Sequence, residues 1–278
     1  TIGDEVCEII VSGAQTNAGT YVATASGTLN SNYTLEGATN LTTPFEIDMS
    51  YLDDLDIAVK AVKYGDKLVL SLVGNIGNGD VTYTLSFIDG DSGKARLDGD
   101  TLIPEHVGKV LVSATVEETM NTHAKTLENV VIVIEKGDLD LSLVKNETVY
   151  GTSFDLETVG NLENGSVEYS VENGTGSAIL SDDFTFVPTH VGTVKVIITV
   201  GETENYAACT AEIEVNICAL PVILGWAVGE YVYNGAEQAP TAEITNLVGS
   251  DQITVKVHGA KDVGADGEDL TAPAYQVE

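Results

Sequence analysis

Basic residues are scarce in this chain: 12 Lys and Arg stand against 43 Asp and Glu, a formal net charge of −31 over 278 residues. A surface so negative repels phosphate backbones and anionic bilayers, which excludes nucleic-acid binding and disfavours membrane surfaces. Cysteine is nearly absent, with Cys7, Cys209 and Cys218 alone. An odd count cannot form a fully paired framework, and the spacing fits no zinc pattern. Nine extended residues would hold Cys209 and Cys218 about 30 Å apart, beyond disulfide reach. All three are therefore expected to be small buried hydrophobes. Proline is low, at 6, and aromatics make up only 6%, thin for a sugar-binding platform. Long apolar runs are lacking too. The longest, Ile217 to Val228, is interrupted by Pro221 and Gly225 and is too short to span a bilayer. No secretory leader is recognisable at Thr1.

What the chain does have is apolar content and turns. Hydrophobic residues reach 43%, enough for real cores, and 28 glycines suit many tight connections. It also repeats itself. Tyr64-Gly65 through Gly74-Asn75 aligns with Tyr150-Gly151 through Gly160-Asn161, and Asn78-Gly79 with Asn164-Gly165. After a two-residue slip, Pro104-Glu-His-Val-Gly108 matches Pro188-Thr-His-Val-Gly192, and Glu118-Thr-Met-Asn121 matches Glu202-Thr-Glu-Asn205. A weaker echo links Val11-Ser-Gly-Ala14 to Val257-His-Gly-Ala260, and Asn32-Tyr33 to Ala274-Tyr275. The expected organisation is four segments. Residues 1–55 are the later part of one β repeat, 56–137 and 138–219 are two full sandwiches, and 220–278 is the early part of another repeat.

Within the full modules the apolar pattern alternates. Val110, Val112, Ala114 and Val116 lie on one face of an extended run, and Val194, Val196, Ile198 and Val200 repeat it. Such a period of two marks strands with one face in a core. Seven runs are expected in the first full module, near 57–62, 67–73, 80–87, 94–97, 101–103, 109–116 and 126–134, with essentially no helix. Seven short strands separated by turns predict an all-β fold, tandem immunoglobulin-like sandwiches in an elongated array.

Several of these residues carry a resemblance. Tyr-Gly, Gly-x-Val-x-Tyr, Gly174-Thr-Gly-Ser-Ala178, Pro-x-x-Val-Gly and Glu204-Asn205-Tyr206 resemble bacterial immunoglobulin-like repeats, which occur in tandem in large secreted or wall-anchored surface proteins. The end segments are similar to companion repeats of those proteins, through Tyr233-Asn-Gly235, Pro240-Thr-Ala242, Asn17-Ala-Gly19-Thr-Tyr21 and Asn32-Tyr33. Two places depart from the pattern: Asn121-Thr-His123 stands where Asn-Tyr is expected, and Val263-Gly-Ala-Asp266 where Ala-Gly-Thr-Tyr is expected. The resemblance implies an extracellular bacterial surface protein and specifies fold better than function.

Candidate chemistry is sparse. Of the four histidines, His106 and His190 occupy equivalent places before a Val-Gly, which suits a packing role better than a repeated base; no nucleophile with an orienting acid recurs beside them. The acidic run Asp89-Gly-Asp91, followed by Asp98-Gly-Asp100, is the best-placed calcium candidate, although it lacks the twelve-residue loop and terminal Glu of an EF-hand. The favoured reading there is a solvated acidic rim, with calcium the one cofactor worth testing. Paired carboxylates across a glycosidase cleft and an intramolecular Lys–Asn bond find no supporting pattern. Trp226, the sole tryptophan, is expected to plug a core or junction rather than form a hot spot.

The function expected is a non-enzymatic extracellular stalk or spacer, with no catalytic residues, whose partners are neighbouring modules of the same chain. The alternatives are adhesion or carbohydrate-binding modules, with host or cell-surface glycans or proteins as partners, and accessory modules of a larger secreted enzyme.

Overall fold

Alternating apolar residues do form the ladders expected of them. In a computed structural model, which describes residues 8–28, 30–232, 234–236, 238–257 and 275–277, the chain is almost wholly β, with one 3₁₀ turn at Leu162–Asn164. It divides into two compact units. One comprises Thr1–Asp138 with Thr203–Ala207, the other Leu139–Glu202 with Ala208–Glu278.

The first unit opens with an antiparallel three-stranded sheet, β1 (Ile9–Ser12), β2 (Gly19–Thr28) and β3 (Thr42–Ile47). Its Tyr21 folds back so that the hydroxyl donates to the carbonyls of Asn17 and Ala18, at 3.1 and 3.3 Å. That turn accounts for the Asn-Ala-Gly-Thr-Tyr sequence as a local fold and not a ligand site. Next come β4 (Asp56–Ile57), β5 (Ala61–Lys63), β6 (Leu68–Val69), β7 (Leu72–Val73), β8 (Val81–Phe87), β9 (Lys94–Asp98), β10 (Thr101–His106), β11 (Gly108–Val116) and β12 (Lys125–Glu135). They make a two-layer sandwich. One sheet runs β5-β12-β11-β8, the other β6-β10-β9, with β4–β7 as a short separate ladder. Val110, Val112, Ile132 and Ile134 from the first sheet meet Leu102 and Ala95 from the second in a core closed to solvent.

The second unit repeats this connectivity element for element. Its strands are β13 (Ser142–Leu143), β14 (Glu147–Val149), β15 (Phe154–Asp155), β16 (Thr158–Val159), β17 (Val167–Asn173), β18 (Ser177–Leu180), β19 (Thr185–His190), β20 (Gly192–Val200) and β21 (Cys209–Cys218). The sheets are β14-β21-β20-β17 and β15-β19-β18, with β13–β16 beside them. Phe186, Val194, Val196, Ile198 and Val215 are sealed inside. Two ladders follow, β22 (Leu224–Ala227) with β23 (Thr241–Ile244), and β24 (Val255–Val257) with β25 (Tyr275–Val277). Each full module is thus an immunoglobulin-like sandwich with its own core.

Some expectations need correction. The runs at 57–62 and 67–73 are not continuous strands: each splits in two, because Leu68–Val69 pairs with β10 in one layer while Leu72–Val73 pairs with β4 in another. Ala61–Lys63 then pairs in parallel with β12, as Glu147–Val149 does with β21. Cys209 and Cys218 are free and only half-buried, so they are not the buried hydrophobes expected; Cys7 lies outside the described residues. Trp226 sits in β22 and is 41% exposed, so it plugs no core.

The repeated proline sits where a strand tolerates it. Pro104 pairs with Ala95 beside a register shift in the β9–β10 ladder, and Pro188 pairs with Ala178 beside a shift between β18 and β19. A bulge removes the need for an amide donor, which proline lacks.

Candidate functional site

The recurring residues shape the turns at the ends of the strands. At the start of β11, Gly108 has φ +142°, and a Cβ there would stand 2.2 Å from the Gly93 nitrogen. Gly192 repeats this at φ +125°, 2.5 Å from the Gly176 nitrogen. Only glycine permits both the dihedral and the close backbone approach. The turn held against Gly108 is the acidic run itself. Asp91 Oδ1 accepts from the amides of Gly93 (2.9 Å) and Lys109 (2.8 Å). Those two donors hold its carboxyl below the usual aspartate range. In the second unit Thr175 Oγ1 takes the same part, accepting from the Thr193 amide at 2.9 Å. A neutral hydroxyl replaces the carboxylate, so the bond, not the charge, is what the fold requires.

The structure does not bring the four calcium candidates together. Asp89 and Asp91 lie in the turn before β9, whereas Asp98 and Asp100 flank the hairpin at its far end, where Asp100 Oδ1 accepts from Thr101 Oγ1 at 3.1 Å. Five residues of strand separate the pairs by about 13–16 Å. Among the described residues, no three His, Cys, Asp or Glu side chains converge as a metal site.

The histidines are also placed by packing. His106 Nδ1 donates to the Val107 carbonyl at 2.9 Å, and Nε2 lies 3.0 Å from Glu204 Oε1. The carbonyl first, and then the carboxylate, raise its pKa above the ordinary value. Both ring nitrogens thus have partners within the fold. His190 is exposed on β19, and His123 stacks on Tyr51 with ring centroids 4.6 Å apart. His258 lies outside the described residues.

The residues missed by sequence reasoning are the asparagines of the Glu-Thr-x-Asn loops. Asn205 is 6% exposed, and its Oδ1 accepts from the Val107 amide at 3.0 Å. Asn121 Oδ1 accepts from the Ala18 amide at 2.8 Å, and its Nδ2 donates to Asn17 Oδ1 at 3.1 Å. The loops are pre-shaped by their threonines: Thr119 Oγ1 accepts from the amides of Asn121 and Thr122, and Thr203 Oγ1 from that of Tyr206. Tyr64 receives the Tyr206 ring edge-on, centroids 5.3 Å apart at 89°. Its counterpart Tyr150 instead donates its hydroxyl to Asp251 Oδ2 at 2.9 Å. The signal was present, since Asn121 and Asn205 recur with the module, but a recurrence does not say what a side chain meets 98 residues away.

No protein-family model matches the chain, and no curated protein matches it. Among solved structures it is similar to Drosophila N-cadherin EC1-3, at 10% identity and TM-score 0.24 over 73% of this chain and 78% of that one. It is likewise similar to domains 1-6 of the surface layer protein SbsC, at 15% identity and TM-score 0.26 over 98% of this chain and 43% of that one. N-cadherin EC1-4 matches at 11% identity and TM-score 0.24, over 93% and 81% of the respective chains. Likeness at this level assigns no ligand and no activity. Among the described residues no helix is long and apolar enough to cross a membrane.

Proposed function

We propose that the chain is a non-enzymatic spacer segment of a bacterial extracellular surface protein, built from tandem immunoglobulin-like modules. Its divisions are residues 1–55, 56–137, 138–219 and 220–278, with neighbouring modules as the immediate partners. One observation carries this reading. The residues that recur between modules (Gly108 and Gly192, Pro104 and Pro188, Asp91 and its substitute Thr175) are spent on turns, bulges and close backbone approach. None is held free for a reacting group. A net charge of −31 fits a segment that must stay soluble and repel its own copies.

Small-angle scattering of the full chain tests it. A spacer gives a pair-distance distribution with a long tail and a cross-section one sandwich wide. A compact particle of the same mass refutes the proposal, as does hydrolysis of any substrate in a broad panel of glycosides and peptides.

A further inference from the structure

The second full module closes its Glu-Thr-x-Asn loop with Tyr206 packed on Tyr64 and with Glu204 against His106. The first module departs from this at the same positions. Met120 stands where Glu204 does, and Thr122 where Tyr206 does. Thr122 turns inward, 2% exposed, with its hydroxyl 2.9 Å from Thr119 Oγ1. Its small side chain leaves room outside, and the next residue, His123, stacks on Tyr51 at an interplanar angle of 27°. The residues on either side of this loop, Met120 and His123, border an open cleft of about 550 Å³ within the first unit. Met49, Tyr51, Met120 and His123 form its apolar surface, and Glu46 and Asp48 its polar wall.

Three features give the cleft a chemistry. The chain contains two methionines, and both line it. Met120 is 69% exposed and Tyr51 67%, an apolar and aromatic surface of the adaptable kind that serves binding. Glu46 and Asp48 face the cleft, and Glu118 lies 3.8 Å from the His123 ring. Among the described residues no Lys or Arg lines the opening. An aromatic face and thioethers beside uncompensated carboxylates suit an aliphatic stem that ends in a positive charge.

We propose that this cleft is a docking site for a basic side chain, lysine or arginine, presented by an extended segment of a partner polypeptide. The stem lies along Met49 and Met120, and the charged head lies over Tyr51, within the field of Glu46 and Asp48. This goes beyond the spacer role and stands or falls separately from it, because an elongated chain can lack the site and a binding chain can be compact.

The two methionines supply the test. With ¹³C-methyl methionine in the full chain, both reporter resonances belong to the cleft. Titration with acetyl-Gly-Gly-Lys-Gly-Gly-amide should shift both resonances saturably. The norleucine analogue, equal in stem but uncharged, should bind about tenfold more weakly. Tyr51→Ala should abolish the lysine response, while Tyr51→Phe keeps it. The pair Glu46→Gln and Asp48→Asn should weaken it several-fold and reduce its salt dependence. Tyr51, Glu46 and Asp48 are exposed, so these variants should fold, and methyl positions in the free protein check that they do. Equal binding of the norleucine peptide overturns the proposal, as does an unresponsive pair of methyls. Shifts that grow with protein concentration alone would assign the cleft to a second copy, and tighter binding of glucosamine would assign it to an amino sugar; either outcome overturns it too.

Discussion

Replacing Gly108 with alanine should cost the first sandwich most of its stability, and the size of the loss follows from the geometry. At φ +142° an L side chain is strained by about 1–3 kcal/mol. The new Cβ would also sit 2.2 Å from the Gly93 backbone nitrogen and 2.4 Å from the side-chain Oδ1 of Asp91, and the Gly93 backbone cannot yield without displacing the turn. Forced repacking of that kind costs about 1–3 kcal/mol. Losing the Asp91–Lys109 bond adds about 1 kcal/mol. Together these come to about 3–7 kcal/mol, against roughly 4–12 kcal/mol for a module of some eighty residues. Gly99 supplies the control. It has φ +64° with nothing within 4 Å of its would-be Cβ, so Gly99→Ala carries only a backbone penalty of about 1–2 kcal/mol. Hydrogen exchange measured by mass spectrometry reads both in one experiment, with peptides from β20 and β21 as the internal reference. Protection along β11 and β12 should fall by about two to five orders of magnitude in Gly108→Ala, and by about tenfold in Gly99→Ala. Equal losses in the two variants would refute the claim that close backbone approach, and not φ alone, makes the glycine of Val-Gly obligatory.

Asn205→Ala should leave the half-buried Val107 amide without its acceptor and destabilise the first unit by about 1–3 kcal/mol, read as faster exchange at residues 106–108. His106 should titrate above free histidine by NMR, and Glu204→Gln should lower its midpoint while the Val107 carbonyl keeps part of the shift. The sign follows from that elevation. The His106 contact contributes fully below the unfolded-state pKa and is lost as pH rises through the higher folded one, so protection around His106 should decline from acid toward alkaline pH.

The sandwich was legible because burial is periodic. β11 and β20 each place four alternate residues in a sealed core, and that alternation stands in the sequence as Val110-x-Val112-x-Ala114-x-Val116 and Val194-x-Val196-x-Ile198-x-Val200. Where the chain crosses between layers, periodicity fails. Leu68–Val69 and Leu72–Val73 are two residues each, and a two-residue strand has no period to read. Hydropathy could not divide 67–73 because the division depends on which partner each half meets. The half-burial of Cys209 and Cys218 was missed for a related reason: they are the two terminal residues of β21, and hydropathy alone does not say where a strand ends.

Tandem copies make recurrence and departure informative in different ways. A residue kept in both copies serves what both share, and Gly108 and Gly192 fit that rule. A residue that differs can still do the same work, as Asp91 and Thr175 do by receiving the same amide, and this is why an acidic run that resembled a cation loop reduces to a turn cap. Departure points to a private function only when the substitute leaves different surroundings. Thr122 in place of Tyr206 meets that condition. The ring that covers Tyr64 in one copy has no equivalent in the other, and Met120 and His123, on either side of Thr122, border the cleft that holds both methionines of the chain. The same comparison that removes Asp91 from consideration therefore selects Tyr51 and Met120.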